Sequence, residues 1–187
     1  MPKGKNHLMS NGGEKKYMSS QEKSIKLIAL DMDGTLLNHK HQVSEANQWA
    51  IEQAKQKDVH VMLSTGRRFE TCYSYAEQLE LNTYLITVNG GQIWSPDQEL
   101  IEQHLLDDET IEALWNIGVD AGMHMWLVST NDIFHEDKGP EDFSKHDWLK
   151  IGFHSQDEDR LRYVKESLSS YRHLEVTNSQ PTNIEVN

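Results

Sequence analysis

Apolar and polar positions fall into blocks along the chain, and the blocks change character twice. Residues 25–30 form a short apolar run, interrupted only by Lys26, that stops at Asp31-Met32-Asp33-Gly34. Such a run predicts a buried strand ended by a turn. Ser44, with Asn47 three residues on, precedes Ala46, Trp49, Ala50 and Ala54 at helical spacing. This predicts a helix capped by Ser44 that runs to about residue 57. Residues 59–63 give a second strand, with Ser64-Thr65-Gly66-Arg67 at its carboxyl end. A helix over 69–79 and a third strand over 84–88 follow, closing on Asn89-Gly90-Gly91. Strand, helix, strand, helix, strand with short loops predicts a doubly wound α/β arrangement.

Past Asn89 the rhythm changes. Residues 92–94 and 99–105 flank Ser95-Pro96-Asp97, a hairpin signal. A helix is expected over 108–121, strands over 123–128 and 132–135, and a loop at Gly139-Pro140-Glu141-Asp142. A strand over 148–153, a helix over 158–168 and strands around 173–177 and 182–186 complete the chain. Mixed helices and hairpin strands predict a second, α+β layer. The expected division is residues 24–89 for the first unit and 90–187 for the second. Residues 1–23 are rich in Lys, Asn, Gly, Ser and Gln and have no periodic apolar face, so they read as a disordered lead.

Composition narrows the classes. Hydrophobic residues make up 36% and charged residues 26% of the 187 positions, a soluble globular balance. No stretch approaches the roughly 18 apolar residues that cross a bilayer, and no apolar segment follows the N-terminal lysines to make a secretory signal. A single cysteine, Cys72, excludes an intramolecular disulfide framework and a cysteine zinc site, and reads as a small apolar helix residue. These features point to the cytoplasm, without a membrane partner. The formal net charge of -12 leaves no basic footprint for nucleic acid beyond Lys3, Lys5, Lys15 and Lys16. An acidic surface also repels anions, so a site for a phosphorylated substrate would need a metal ion and backbone N–H groups to offset it.

The chemistry concentrates at two strand ends. Asp31 and Asp33 lie one residue apart at the carboxyl end of a buried strand, where open α/β sheets bind ligands. In extended chain both side chains share one face and Met32 points away. Gly34 permits a sharp turn whose N–H groups can face an anion. Asp31 has the character of a carboxylate nucleophile toward phosphorus. Asp33 is placed to protonate the leaving oxygen and then to deprotonate water. Two clustered carboxylates want a cation, and oxygen-only ligands select Mg2+. The competing reading of Asp-x-Asp-Gly is a plain turn. The second motif weighs against it, because Thr65 and Arg67 follow another apolar strand and so reach the same sheet edge. His39 and His41 read as solvated loop, His135, His146 and His154 lack metal-ligand spacing, and Trp115, Met123, Met125 and Trp126 read as packing.

On these residues the chain resembles the haloacid dehalogenase superfamily. Residues 30–37, Leu-Asp-Met-Asp-Gly-Thr-Leu-Leu, match its motif I, and residues 63–67, Leu-Ser-Thr-Gly-Arg, match its motif II. Asn89-Gly90-Gly91 and Pro181-Thr182-Asn183-Ile184-Glu185-Val186 look like the two linkers of its Cof-type branch, which bracket a large cap. The resemblance implies an incomplete α/β Rossmann-like core with an inserted α+β cap, acting on a small phosphorylated metabolite. It implies Asp31 as nucleophile and Asp33 as acid/base. The substrate phosphate would be held by Gly34, Thr65, Gly66, Arg67 and Asn89, and Mg2+ by Asp31 and the Asp33 carbonyl. Family members continue past the second linker with a lysine that steadies the phosphoaspartate and a Gly-Asp-x-x-Asn-Asp-like metal motif. Neither precedes Asn187, so the chain is expected to be a fragment or truncated product, with little activity alone and with residues 25–30 as an uncovered edge. A phosphomutase, or an inactive binding or regulatory protein, remains the alternative.

Overall fold

The computed structural model describes residues 24–187, and the reading of residues 1–23 as a disordered lead lies outside them. The first layer begins with β1 (Leu27–Leu30), which pairs in parallel with β2 (His60–Leu63) in the register Leu27 with His60 through Leu30 with Leu63. Helix α1 (Glu45–Lys55) makes the crossover. It starts where its sequence predicts, because the Ser44 hydroxyl accepts from the Asn47 N–H at 3.2 Å and closes the first turn. The Asn47 side chain reaches back to the Leu36 carbonyl at 2.9 Å, tying the helix to the turn after β1. Helix α2 (Phe69–Gln78) leads to β3 (Leu85–Thr87), and a single parallel bridge between Ser64 and Ile86 sets β3 beside β2.

The hairpin β4 (Gln92–Trp94) and β5 (Leu100–Gln103) turns back onto β3, with Leu85 opposite Trp94 and Thr87 opposite Gln92. Residues 92–103, expected in the second unit, therefore hydrogen-bond to the first. The core under this layer is built from Met32, Leu36, Val61, Leu63, Cys72 and Leu85, with the Phe69 ring stacked on Trp94 at 4.2 Å. Burial pushes the Cys72 thiol up to about 11, so it behaves as the small apolar residue the sequence suggests.

Helix α3 (Asp108–Asp120) opens the second layer, capped by the Asp107 carboxylate, which accepts from the Thr110 N–H at 2.8 Å. The five-stranded sheet runs in the order β7 (Ile133–His135), β6 (His124–Ser129), β8 (Trp148–His154), β10 (Asn183–Val186), β9 (Val176–Thr177), antiparallel throughout. Helix α4 (Glu158–Leu168) joins α3 in covering one face. There Ile111, Leu114, Leu127, Trp148, Phe153 and Val164 are wholly excluded from solvent. Ile111 and Leu114 in α3, and Leu161, Val164 and Leu168 in α4, recur at helical spacing, so each helix buries one stripe and leaves its charged side in water.

The two layers meet at a small joint. Val88, between β3 and β4, packs against Val128 and Leu149 of the second sheet. Val88 and Asn89 adopt left-handed backbone, with φ of 51° and 55°. A β-branched residue rarely does so, and the strain persists only because neighbours over-determine it. Here the Val88 N–H donates to the Arg67 carbonyl at 2.9 Å and the Asn89 N–H to the Thr65 carbonyl at 3.1 Å.

Among the described residues β1 pairs on one side only, and Leu27 is 52% exposed. His60 donates to Lys26 and Ser64 to the Leu30 carbonyl, so the parallel ladder directs the Leu27 and Ala29 N–H groups to the open edge. Their amides should exchange at least about tenfold faster than those of Ile151 and Phe153 in the central strand β8. Hydrogen exchange followed by NMR checks this, and comparable protection in both strands would contradict the placement of β1.

Candidate active site

Three strand ends supply the site. Beyond β1 the chain folds into a tight turn in which the Leu36 N–H donates to the Asp31 carbonyl at 3.2 Å and the Leu37 N–H to the Met32 carbonyl at 2.8 Å. Gly34 takes φ of 78°, a conformation costly for residues with a Cβ, and this lets the turn close. The turn buries Met32, Leu36 and Leu37 and leaves Asp31 and Asp33 exposed. The alternation seen in the sequence is thus realised, apolar side chains inward and both carboxylates outward. The Asp31 carboxylate accepts a hydrogen bond of 3.3 Å from the Thr35 hydroxyl, its one side-chain partner among the described residues.

Thr65 and Gly66 lie at the end of β2. Thr65 is buried, its N–H donates to the Ile86 carbonyl at 3.0 Å, and its hydroxyl accepts from the Arg67 N–H at 3.3 Å. Gly66 is required by close approach: a Cβ there would sit 2.4 Å from Asn89 Oδ1. Asn89 therefore does come against this loop, as its place in the candidate set implies. The predicted residues Thr65, Gly66, Arg67 and Asn89 form one contiguous cluster.

Arg67 joins that cluster to the β1 turn. Its Nε donates to Asp33 Oδ2 and its Nη2 to Asp33 Oδ1, each at 2.7 Å, the two-pronged geometry that guanidinium and carboxylate favour. The Arg67 guanidinium thereby holds the Asp33 carboxyl below its ordinary value, chiefly through its hydrogen bonds; burial opposes this, and the charges of Arg67 and His41 add to the lowering. In this arrangement the Arg67 side chain faces Asp33 and not open space for a phosphate.

Four neighbours escape a sequence reading. His41 approaches Arg67 Nη2 to 3.2 Å, and since guanidinium only donates, His41 Nδ1 accepts. The Tyr75 hydroxyl donates to the His41 carbonyl at 2.9 Å, while its ring lies 5.7 Å from the Arg67 guanidinium carbon. Reading His41 as mere solvated loop missed this contact, because the loop's return across 26 positions has no local signal. Lys150 lies in no motif of the sequence, and Glu185 reads there only as part of a linker. Lys150 Nζ donates to the Gly66 carbonyl at 3.1 Å and to Glu185 Oε2 at 2.9 Å, and Asn89 Nδ2 donates to the same Glu185 oxygen at 2.8 Å. A signal did exist: each is a lone charge inside an otherwise apolar strand, Trp148-Leu149-Lys150-Ile151 and Ile184-Glu185-Val186. Burial raises the Glu185 carboxyl, but the charge and hydrogen bond of Lys150, with Asn89 and Ser179, outweigh it and hold the group below its ordinary value.

A divalent cation can be weighed against these donors. Among the described residues no group of three or more His, Cys, Asp or Glu could hold a metal. Mg2+ nonetheless binds through one or two protein oxygens, completing its shell with water and phosphate. The exposed Asp31 carboxylate fits that pattern. With the Asp33 side chain taken by Arg67, the Asp33 backbone carbonyl is the remaining oxygen of the pair. No helix among the described residues is long and apolar enough to cross a membrane.

Comparison with known proteins identifies the family. A family model described as haloacid dehalogenase-like hydrolase matches residues 28–184. The 5-amino-6-(5-phospho-D-ribitylamino)uracil phosphatase of Bacillus subtilis is 42% identical over 167 residues, covering 89% of this chain and 67% of its own length. An HMP-PP phosphatase of Cronobacter sakazakii is 29% identical over 136 residues, covering 73% of this chain and 50% of its own. The chain thus spans from half to two thirds of the length of these relatives. Among solved structures, a haloacid dehalogenase-like hydrolase from B. subtilis superposes with a TM-score of 0.76 at 22% identity, over 87% of this chain and 73% of that one. The match over most of the described residues, with the fold and two phosphatase relatives in agreement, places this chain in the haloacid dehalogenase-like hydrolase family.

Proposed function

We propose that the protein hydrolyses a small phosphorylated metabolite with Mg2+, through an aspartyl-phosphate on Asp31. The observation that carries the reading is the two-pronged Asp33–Arg67 pair, which binds the β1 turn to the β2 loop while Asp31 stays exposed. In the first step a carboxylate oxygen of Asp31 forms a bond to phosphorus, the bond from phosphorus to the ester oxygen breaks, and that oxygen takes a proton from Asp33. In the second step a water oxygen bonds to phosphorus as Asp33 takes its proton, and the bond from phosphorus to Asp31 breaks. The hydroxyl of Thr65 and the N–H groups around Gly34 and Gly66 would hold the remaining phosphoryl oxygens. Bound Mg2+ would offset the negative charge of Asp31 and the phosphate. The activities for which the two phosphatase relatives are named support a small phosphorylated compound as substrate.

A lowered Asp33 pKa suits the second step, where the group acts as base. It works against the first step, so Arg67 must loosen its hold as the substrate arrives. The site would then lie between a core of β1–β5 with α1 and α2 and a cap of β6–β10 with α3 and α4. The pairing of β4 with β3, and of β5 with β4, favours a boundary near Leu106 over one at Asn89.

Two outcomes follow. Asp31→Asn should abolish Mg2+-dependent hydrolysis of p-nitrophenyl phosphate, since an amide forms no acyl phosphate. Asp33→Asn should lower turnover about 10²–10⁴-fold. Near-normal hydrolysis by Asp31→Asn would refute the assignment. The second outcome concerns titration. The Asp33 carboxyl carbon, followed by NMR, should titrate below the ordinary 3.8 in the wild type and move up toward it in Arg67→Met. A folded pKa below the unfolded one means that the pair stabilises the fold above the unfolded value and ceases to as pH falls through the folded one. An Asp33 midpoint unchanged by Arg67→Met would show that the pair does not form in solution.

A further inference from the structure

Lys150 and Glu185 sit on β8 and β10 of the second sheet, each no more than 7% exposed, and face the joint with the first layer. Glu185 lies opposite Gly152 in the antiparallel ladder, so Lys150 is its diagonal neighbour on the same face. The carboxylate is fully engaged. Oε2 accepts from Lys150 and from Asn89 Nδ2, and Oε1 accepts from the Ser179 hydroxyl at 3.0 Å and from Asn183 Nδ2 at 3.3 Å. Lys150 spends its second donor on the Gly66 carbonyl. A buried ion pair of this kind gains little over apolar residues of the same shape, because both charges lose their water. Its presence inside two apolar strands is better explained by what it holds.

What it holds is one peptide plane. In a trans peptide the C=O and the following N–H point in opposite directions. Lys150 draws the Gly66 carbonyl toward the second sheet, so the Arg67 N–H is directed the other way, where it meets the Thr65 hydroxyl at 3.3 Å. A flipped plane would instead turn a carbonyl oxygen toward an arriving anion. The loop is gripped again one residue beyond Arg67, where Arg68 Nη2 donates to the Thr130 carbonyl between β6 and β7 at 3.3 Å. The strained turn at Val88 and Asn89 is held to the same point through Asn89 Nδ2.

We infer that Lys150 and Glu185 are a positioning pair: the second layer sets, through them, the orientation of the Gly66–Arg67 peptide, whose N–H donates to the Thr65 hydroxyl and so leaves that hydroxyl free to donate to a bound phosphoryl oxygen. The inference rests on the reading of this loop as the phosphate site. Lys150→Met alone leaves the Glu185 charge buried and unpaired and threatens folding, so the informative variant is Lys150→Met/Glu185→Gln, which removes both charges and keeps an acceptor for Asn89. Inorganic phosphate is titrated in the presence of Mg2+, and amide exchange is followed by NMR in the same samples. The double variant should bind phosphate at least about tenfold more weakly, while exchange at Ile151 and Phe153 stays at the wild-type rate. Lys150→Arg, which can still reach both partners, should recover part of the loss. Wild-type affinity in the double variant would overturn the inference and leave the pair a packing feature. If the wild type itself binds no phosphate, the reading of the site fails, and the exchange rates then decide the inference alone. The Arg67 and Asn89 amides should exchange about tenfold faster in the double variant with β8 unchanged, and equal rates would overturn it.

Discussion

Parallel pairing of β1 with β2, extended by the bridge from Ser64 to Ile86, is the constraint on which the site depends. Parallel strands share a direction, so their carboxyl ends emerge at one edge. Asp31, Thr65 and Asn89 come from three separate stretches and reach the same place for that reason alone. The local turns then finish the work: Gly34 closes the first, Gly66 lets Asn89 approach the second, and the left-handed Val88 and Asn89 end the third. Backbone hydrogen bonds close the first turn and tie the third to the second, while the Asp33–Arg67 pair joins the first to the second.

Electrostatics explains why the network needs charges from a distance. The chain carries a formal net charge of -12, and two of its aspartates, one residue apart, lie in the site. Arg67 offsets one of them by direct contact, and Lys150 is tied to Glu185, so its charge is largely spent within the joint. The exposed Asp31 remains without a cationic partner among the described side chains. An anionic substrate at this edge would depend on backbone N–H groups and a metal ion, which gives the orientation of the Gly66–Arg67 peptide more weight than that of any ordinary loop.

Most secondary structure was legible in the sequence because its causes are local. The Ser44 and Asp107 caps, the apolar periods of α1 to α4 and the turn glycines all act within a few residues, and each element appears within a few residues of its expected place. The aspartates and the Thr65 loop were legible for a related reason: a polar motif at the end of an apolar strand predicts its own position on a sheet edge. Partnership was not legible. Arg67 reaches Asp33 across 34 positions, and Lys150 reaches Gly66 across 84, where no periodicity links the two ends. The hairpin β4–β5 was assigned to the second layer on rhythm alone, because rhythm reports strands and not which strands they join. Lys150 and Glu185 could have been singled out as charges in apolar strands, but their partners could not.

Reductive trapping of the acyl phosphate tests the central claim most directly. Borohydride added during turnover with Mg2+ and a phosphomonoester reduces an aspartyl-phosphate to homoserine, and peptide mass spectrometry then locates the altered residue. The account predicts homoserine at position 31 and an unaltered aspartate at position 33. Homoserine at position 33, or steady hydrolysis with neither residue altered, would contradict it.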